Sequence, residues 1–309
     1  MSEAEGGDFR RSETGRKQSW HGMKRYIKGL LGMPVPHWLM RKGLVLRPDL
    51  RRSGRLPAPR SLKEVAGHAG EIDFVMLRPD RCVIAKELYW GQGHRPHPED
   101  DFAIELFASS AADADVVIDI GAYTGIFTLV AATVNPAAHV HAFEIVPAVH
   151  GMLQANIDRN GLTPRVTAHL AGVGRPGESF VVPEGTGGSA LPDFYSTRMH
   201  FEEGKAIRLV ALDSLADAVP AGSRVLMKID VEGSEDDVLG FGSQVLGSFG
   251  PDILCEILDG VADAPSVERS LSPHGYRFFL VGEHGLQERP HIVPDARFRD
   301  WLFTRRAEL

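Results

Sequence analysis

Two short blocks of this 309-residue chain carry side chains whose types and spacing could do chemistry. The first runs Val116-Val117-Ile118-Asp119-Ile120-Gly121-Ala122-Tyr123-Thr124-Gly125-Ile126-Phe127, with Ala142-Phe143-Glu144 closing the next apolar run. The second is Lys228-Ile229-Asp230-Val231-Glu232-Gly233-Ser234-Glu235. An apolar strand entering a glycine turn and then a helix, with one acid at the turn and another ending the following strand, describes a nucleoside site in an open α/β sheet. A dinucleotide site needs G-x-G-x-x-G, so that backbone can approach a pyrophosphate. Here the order is Asp119-x-Gly121-x-x-x-Gly125, with bulky Tyr123 where a middle glycine would admit the phosphates. A carboxylate two positions before the first glycine repels a polyanion and suits the amino group of a cationic, phosphate-free ligand. S-adenosylmethionine, an amino acid joined through a sulfonium to adenosine, is such a ligand. Glu144 then falls where an acid can accept hydrogen bonds from both ribose hydroxyls. The expected cofactor contacts are Asp119, Gly121, Ala122, Tyr123, Thr124, Gly125, Glu144, Ile145 and Asp230.

The second block supplies candidates for reaction. Methyl transfer from a sulfonium is an in-line displacement that needs aligned atoms and exclusion of water. An acceptor hydroxyl must also give up its proton to a nearby base. Ligands of open α/β sheets sit beyond the carboxyl ends of the strands. Asp230 ends a buried apolar run there and is the leading base or hydroxyl-orienting group, with Glu232 as its partner or alternate. Lys228 is read as holding an acid in place, and Glu256, ending the next strand, as lining the acceptor side. Asp230, Glu232 and Glu256 could instead converge on a hard cation such as Mg²⁺. The sequence fixes no coordination geometry, so no metal ligand set is assigned. Glu235, Asp236 and Asp237 are explained by the dipole of the helix they open. His141 and His169 alternate with apolar residues and read as strand-surface histidines.

The elements that must position these groups follow a βαβ alternation, predicting a doubly wound, mostly parallel, seven-stranded α/β sheet with an N-terminal extension. The core runs strand 116–120, helix 126–134, strand 139–143, helix 147–159, strand 165–170, strand 207–212, strand 225–230 and strand 253–257. Residues 275–281 and a strand near 291–293 complete it, with an antiparallel hairpin at one edge. Ahead of it, 72–77 and 82–88 are expected to pair as a hairpin and 97–111 to form a helix. The Gly-rich stretch 172–206 is expected to be a lid or hairpin insertion, because a loop this long in a compact domain is usually functional or mobile. Three units are thus expected: a basic arm and linker over 1–60, a hairpin and helix over 61–112, and the ligand-binding domain over 113–309. A short helix is expected near 20–31.

Composition excludes several classes. A 43% apolar fraction supports a packed core, and two cysteines without Cys-x-x-Cys or a His cluster give neither a disulfide framework nor a zinc site. No apolar run approaches a membrane span and no secretion signal is evident, so a cytoplasmic location is expected. Residues 1–60 hold 14 Lys and Arg against 5 Asp and Glu, leaving 20 basic and 36 acidic residues for the remainder. A basic arm can touch a membrane surface or an acidic partner, but Gly32, Pro34 and Pro36 break any long amphipathic helix and aromatics are sparse. A solvated arm is the simpler expectation, and no nucleic-acid partner is expected.

Asp119 to Gly125 with Phe143-Glu144, Asn156 to Leu162, Ala211-Leu212-Asp213-Ser214-Leu215, Lys228 to Glu235, Pro251 to Glu256 and Gly275-Tyr276 together resemble the FkbM family of S-adenosylmethionine-dependent methyltransferases. The resemblance spans about residues 72 to 285, and its most specific element is the Lys-Ile-Asp-Val-Glu-Gly-x-Glu block. It implies a class I methyltransferase fold and O-methylation of a hydroxyl on a sugar, glycolipid or polyketide-like product. Tyr123-Thr124, where Asn is more usual in the family turn, and the long basic arm depart from the pattern and leave the acceptor open. Two other classes compete. A nicotinamide-dependent oxidoreductase is disfavoured by Tyr123 and the missing third glycine, and a catalytically inactive module would act through its arm.

Overall fold

The computed structural model describes residues 56–183 and 199–307. The expected arm and its helix near 20–31, and the Gly185 to Ser189 and Asp193 to Tyr195 portions of the expected lid, lie outside them. The chain opens with a hairpin, β1 (Glu64–Ala69) and β2 (Ile72–Leu77), then α1 (Val83–Trp90) and α2 (Pro98–Ala111). The core alternates β3 (Val116–Ile120), α3 (Ile126–Val134), β4 (His139–Glu144), α4 (Pro147–Arg159) and β5 (Val166–Leu170). After β6 (Gly172–Val173), β7 (Ser179–Val182) and β8 (Lys205–Val210) come β9 (Val225–Ile229), α5 (Glu235–Gly240), α6 (Ser243–Ser248) and β10 (Asp252–Glu256). The remaining elements are α7 (Ala264–Leu271), β11 (Arg277–Val281), β12 (Leu286–Arg289) and β13 (Asp300–Thr304).

The main sheet has eight strands in the order β12-β11-β13-β10-β9-β3-β4-β5. From β5 to β10 neighbouring strands are parallel, whereas β13 runs antiparallel between β10 and β11. Every residue of β3, β9 and β10 is buried, as expected of strands covered on both faces. Alternation sorts their side chains: Val117, Leu226 and Leu254 face the layer of α2, α3 and α4, while Ile118, Met227 and Ile253 face the layer of α5, α6 and α7. The expected doubly wound, mostly parallel architecture is therefore present, with one more strand than the sequence indicated.

Two segments depart from expectation. Residues 83–90, read as the second hairpin strand, are helical, and β2 pairs instead with the earlier β1. Cys82 caps that helix by accepting the Ala85 N–H, and Leu88 joins Cys82 and Ala85 on one buried face, a helical spacing. The strand expected near 291–293 is found instead at Asp300–Thr304, four of whose five residues are buried. Gly172–Val173, Ser179–Val182 and Lys205–Val210 form a small separate sheet of order β6-β8-β7, so the strand expected in the core over 207–212 belongs to this sheet and not to the main one.

Candidate functional site

The carboxyl ends of β3, β4, β9 and β10 open into a cavity of about 420 Å³, within the range of small-ligand sites. One half is walled by the glycine turn (Gly121, Ala122, Tyr123) and by Phe143, Glu144, Ile145 and Val146 after β4. The other is walled by Lys228, Asp230, Glu232 and Glu256, with Glu87, Arg95 and Asp100 from the α1–α2 region and Arg299 and Asp300 at the start of β13.

Local backbone chemistry shapes the first half. Gly121, Tyr123 and Gly125 all have left-handed backbone, with φ of 79°, 50° and 95°. At Gly121 a Cβ would lie 1.7 Å from the Asp230 carbonyl oxygen, so only glycine fits. The Asp230 N–H in turn donates to the Ile120 carbonyl at 2.9 Å. The two sequence blocks are thus in backbone contact. Glu144 is buried; its Oε2 accepts the Tyr123 N–H at 3.0 Å and its Oε1 the Val146 N–H at 2.7 Å. Burial pushes its carboxyl up to about 7, against the pull of these N–H groups. Each carboxylate oxygen keeps a further lone pair for a ligand hydroxyl.

Charge shapes the second half. Burial alone would neutralise Lys228, but Asp230, Asp300 and Glu256 keep its ammonium charged. Its Nζ lies 3.3 Å from Asp300 Oδ1 and 3.6 Å from Asp230 Oδ2, and 5.2 Å from the centre of the Phe127 ring. Arg299 sits 3.1 Å from Glu256, and Arg95 is held 3.0 Å from both Glu87 and Asp100. Burial and the neighbouring Asp230 push Glu232 up to about 7; burial, Asp230 and Asp300 raise Glu256 strongly. Glu232 has φ of 55°, a conformation that costs a side-chain-bearing residue about 1 kcal/mol or more. Asp230, Glu232 and Glu256 each offer an oxygen within 4.8 Å of the others, so they could hold a divalent cation. Lys228 and Arg299 already bring positive charge to two of the three.

Of the residues expected at the cofactor, Gly121, Ala122, Tyr123, Glu144, Ile145 and Asp230 line the cavity, as do Lys228 and Glu232. Asp119, Thr124 and Gly125 do not. Strand alternation turns Asp119 beneath the turn, where it accepts the Thr128 hydroxyl of α3 at 2.6 Å, and burial pushes it up to about 6. The Thr124 hydroxyl meets Cys82 Sγ at 3.1 Å, and Gly125 gives Leu153 room to pack. Glu235, read as serving only the helix dipole, is fully buried and accepts the Gly233 N–H across its own turn. His141 and His169 are half-buried and stacked, away from the cavity wall. Sequence reasoning missed Glu87, Arg95, Asp100, Arg299 and Asp300, which no local motif marks.

An open parallel sheet with a glycine turn after its first core strand, an acid after the second and acids at the carboxyl ends of the next two defines a nucleoside-binding domain of the class I methyltransferase type. The chain belongs to the FkbM methyltransferase family: the family model for the methyltransferase FkbM domain matches residues 119–278. Methyltransferase 1 of Beauveria bassiana (strain ARSEF 2860) is 26% identical over 200 residues, covering 59% of this chain and 77% of that protein. The structure of methyltransferase FkbM from Methylobacillus flagellatus KT is 18% identical, covers 62% of this chain and 44% of that one, and superposes with a TM-score of 0.41. This chain therefore spans less than half of that protein. Aeropyrum pernix fibrillarin, solved with natively bound S-adenosyl-L-methionine, is 12% identical over 63% of this chain and 68% of its own, at a TM-score of 0.36. A methyltransferase of this family takes its methyl group from S-adenosylmethionine. The residues present fit that donor: a buried acid with spare lone pairs at the cavity wall, an apolar lining, and no glycine at position 123 for a pyrophosphate.

Proposed function

We propose that this chain methylates a hydroxyl of a sugar, glycolipid or polyketide-like product. Asp230 accepts or orients the hydroxyl proton. The observation that carries this reading is the position of Asp230: its side chain is one-third exposed in the cavity, its main chain packs on Gly121, and a buried ammonium lies beside its carboxylate. In this reading Gly121, Ala122, Tyr123, Glu144 and Ile145 hold the donor, with Glu144 receiving ribose hydroxyls. Asp119 acts from below, fixing α3 to the turn through Thr128. When bound, the donor supplies an electrophilic methyl group on a sulfonium.

Lys228 holds its positive charge 3.6 Å from the Asp230 carboxylate and fixes that side chain at the cavity wall. Glu232, held near neutral pH, can pass or receive the proton next to it. The apolar half excludes water from the line of displacement. Incubation with S-adenosyl-[methyl-³H]methionine and a panel of neutral glycosides, glycolipids and polyketides should place label in a base-stable methyl ether. Asp230→Asn should slow that labelling about 10²-fold or more while leaving S-adenosylhomocysteine binding intact. Label on nitrogen, carbon or a carboxyl ester would overturn the hydroxyl assignment. Turnover within about tenfold of the wild type in Asp230→Asn would overturn the base.

A further inference from the structure

The Asn156 to Leu162 stretch singled out in the sequence has no part in the chemistry above, yet it contains two asparagines four residues apart, Asn156 in the last turn of α4 and Asn160 at its C-cap. Each uses its amide as a strand would, pairing with the edge of β2 that β1 leaves open. Asn160 accepts the Val75 N–H at 2.8 Å and donates to the Val75 carbonyl at 2.7 Å. Asn156 accepts the Leu77 N–H at 2.8 Å, but its own N–H₂ turns the other way and donates to the Thr124 carbonyl at 2.8 Å. Thr124 lies between Tyr123 and Gly125, two left-handed residues of the turn. Both Asn156 and Thr124 are fully buried, so neither group can trade its bond for water.

A strained turn persists only where its surroundings over-determine it. Here a single amide ties the carbonyl at its centre to a hairpin outside the 119–278 family match. We propose that Asn156 is a positioning residue for the donor site, setting the turn's shape by clamping the Thr124 carbonyl to β2. This rests on the reading that the turn from Gly121 to Gly125 holds the donor. Asn160 is the internal control. Its side chain makes two bonds to the same strand, one to the Asn156 carbonyl and none to the turn, so its loss weakens the hairpin while leaving the Asn156 bond to Thr124 in place.

The test is calorimetric binding of S-adenosylhomocysteine to the full chain, with thermal unfolding measured in parallel. Asn156→Asp keeps an acceptor for the Leu77 N–H and places a carboxylate oxygen against the Thr124 carbonyl; it should weaken binding tenfold or more. Asn160→Ala should lower the unfolding temperature yet leave affinity within twofold. In hydrogen exchange, ligand should slow the Leu77 amide in the wild type and fail to do so in Asn156→Asp. Equal losses of affinity in the two variants, or affinity unchanged in both, would overturn the proposal. Should Asn156→Asp not fold, Asn156→Ser supplies the same comparison with a shorter donor, and its affinity should also fall while that of Asn160→Ala holds. Wild-type binding lost in Glu144→Ala but kept in Asn156→Asp would sink the clamp alone, whereas no binding to the wild type would sink the donor-site reading and the clamp with it.

Discussion

The two halves of the cavity are built by different means. In the reading proposed above, the donor half is made of backbone: left-handed residues at 121, 123 and 125, N–H groups aimed at Glu144, and a glycine too close to the next strand to carry a side chain. The acceptor half is made of side-chain tips, with Lys228, Arg95 and Arg299 each set among carboxylates from separate segments. At Gly121 the backbone contact leaves no room for another residue, whereas a charged wall can be re-edited one tip at a time. A single fold can in this way keep one donor and change acceptors.

That contrast can be broken experimentally, since lesions in the donor half should appear in binding and lesions in the acceptor half in turnover. The largest effect is expected from Gly121→Ala, whose Cβ meets the Asp230 carbonyl; S-adenosylhomocysteine affinity should fall at least 100-fold by calorimetry. Retained affinity would show that the two blocks can move apart. Asp230→Asn should lower kcat by about 10²-fold or more, the usual contribution of a positioned base, while changing donor affinity less than threefold. Asp300→Asn removes one of the two carboxylates beside Lys228 and should cost about tenfold in kcat, with the KM of the donor unchanged. A matching loss of donor affinity would erase the division of labour.

Two smaller effects concern charge. Glu232 is raised from its ordinary value to about 7, so its contribution to stability is fully present below pH 4 and is lost as pH rises through 7. The ligand-free protein should therefore melt at lower temperature at pH 8 than at pH 5. Glu232→Gln should flatten that slope, by about 2 °C at pH 8. A slope unchanged in the variant would place the titrating group elsewhere. Finally, EDTA should alter turnover by less than twofold. A tenfold loss restored by Mg²⁺ would recast Asp230, Glu232 and Glu256 as cation ligands.

The same division explains what the sequence could reveal. Asp119 to Glu144 is legible because a strand, turn, helix and second strand follow one another within 26 residues, and their shape demands particular residues at particular places. The acceptor half draws on residues 87–100, 228–232, 256 and 299–300, whose meeting depends on the order of strands rather than on any spacing. Asp119 was legible as important but not as buried, because strand alternation, unlike the glycine motif, sets which way it points. The helix at 83–90 was misread for a related reason: a short apolar run fits either period, and only the Cys82 cap decides. β13 escaped because five mostly buried residues carry no alternation.

The place of β13 has a consequence for how the enzyme comes into being. It is inserted between β10 and β11, both made earlier, and Asp300 and Arg299 reach the cavity only from there. On the ribosome the donor turn emerges about 180 residues before the strand that completes the wall opposite it. The two walls of the cavity are thus far apart in the chain although they face each other in the fold. Without β13, β10 and β11 would each present an unpaired edge of the kind that invites association.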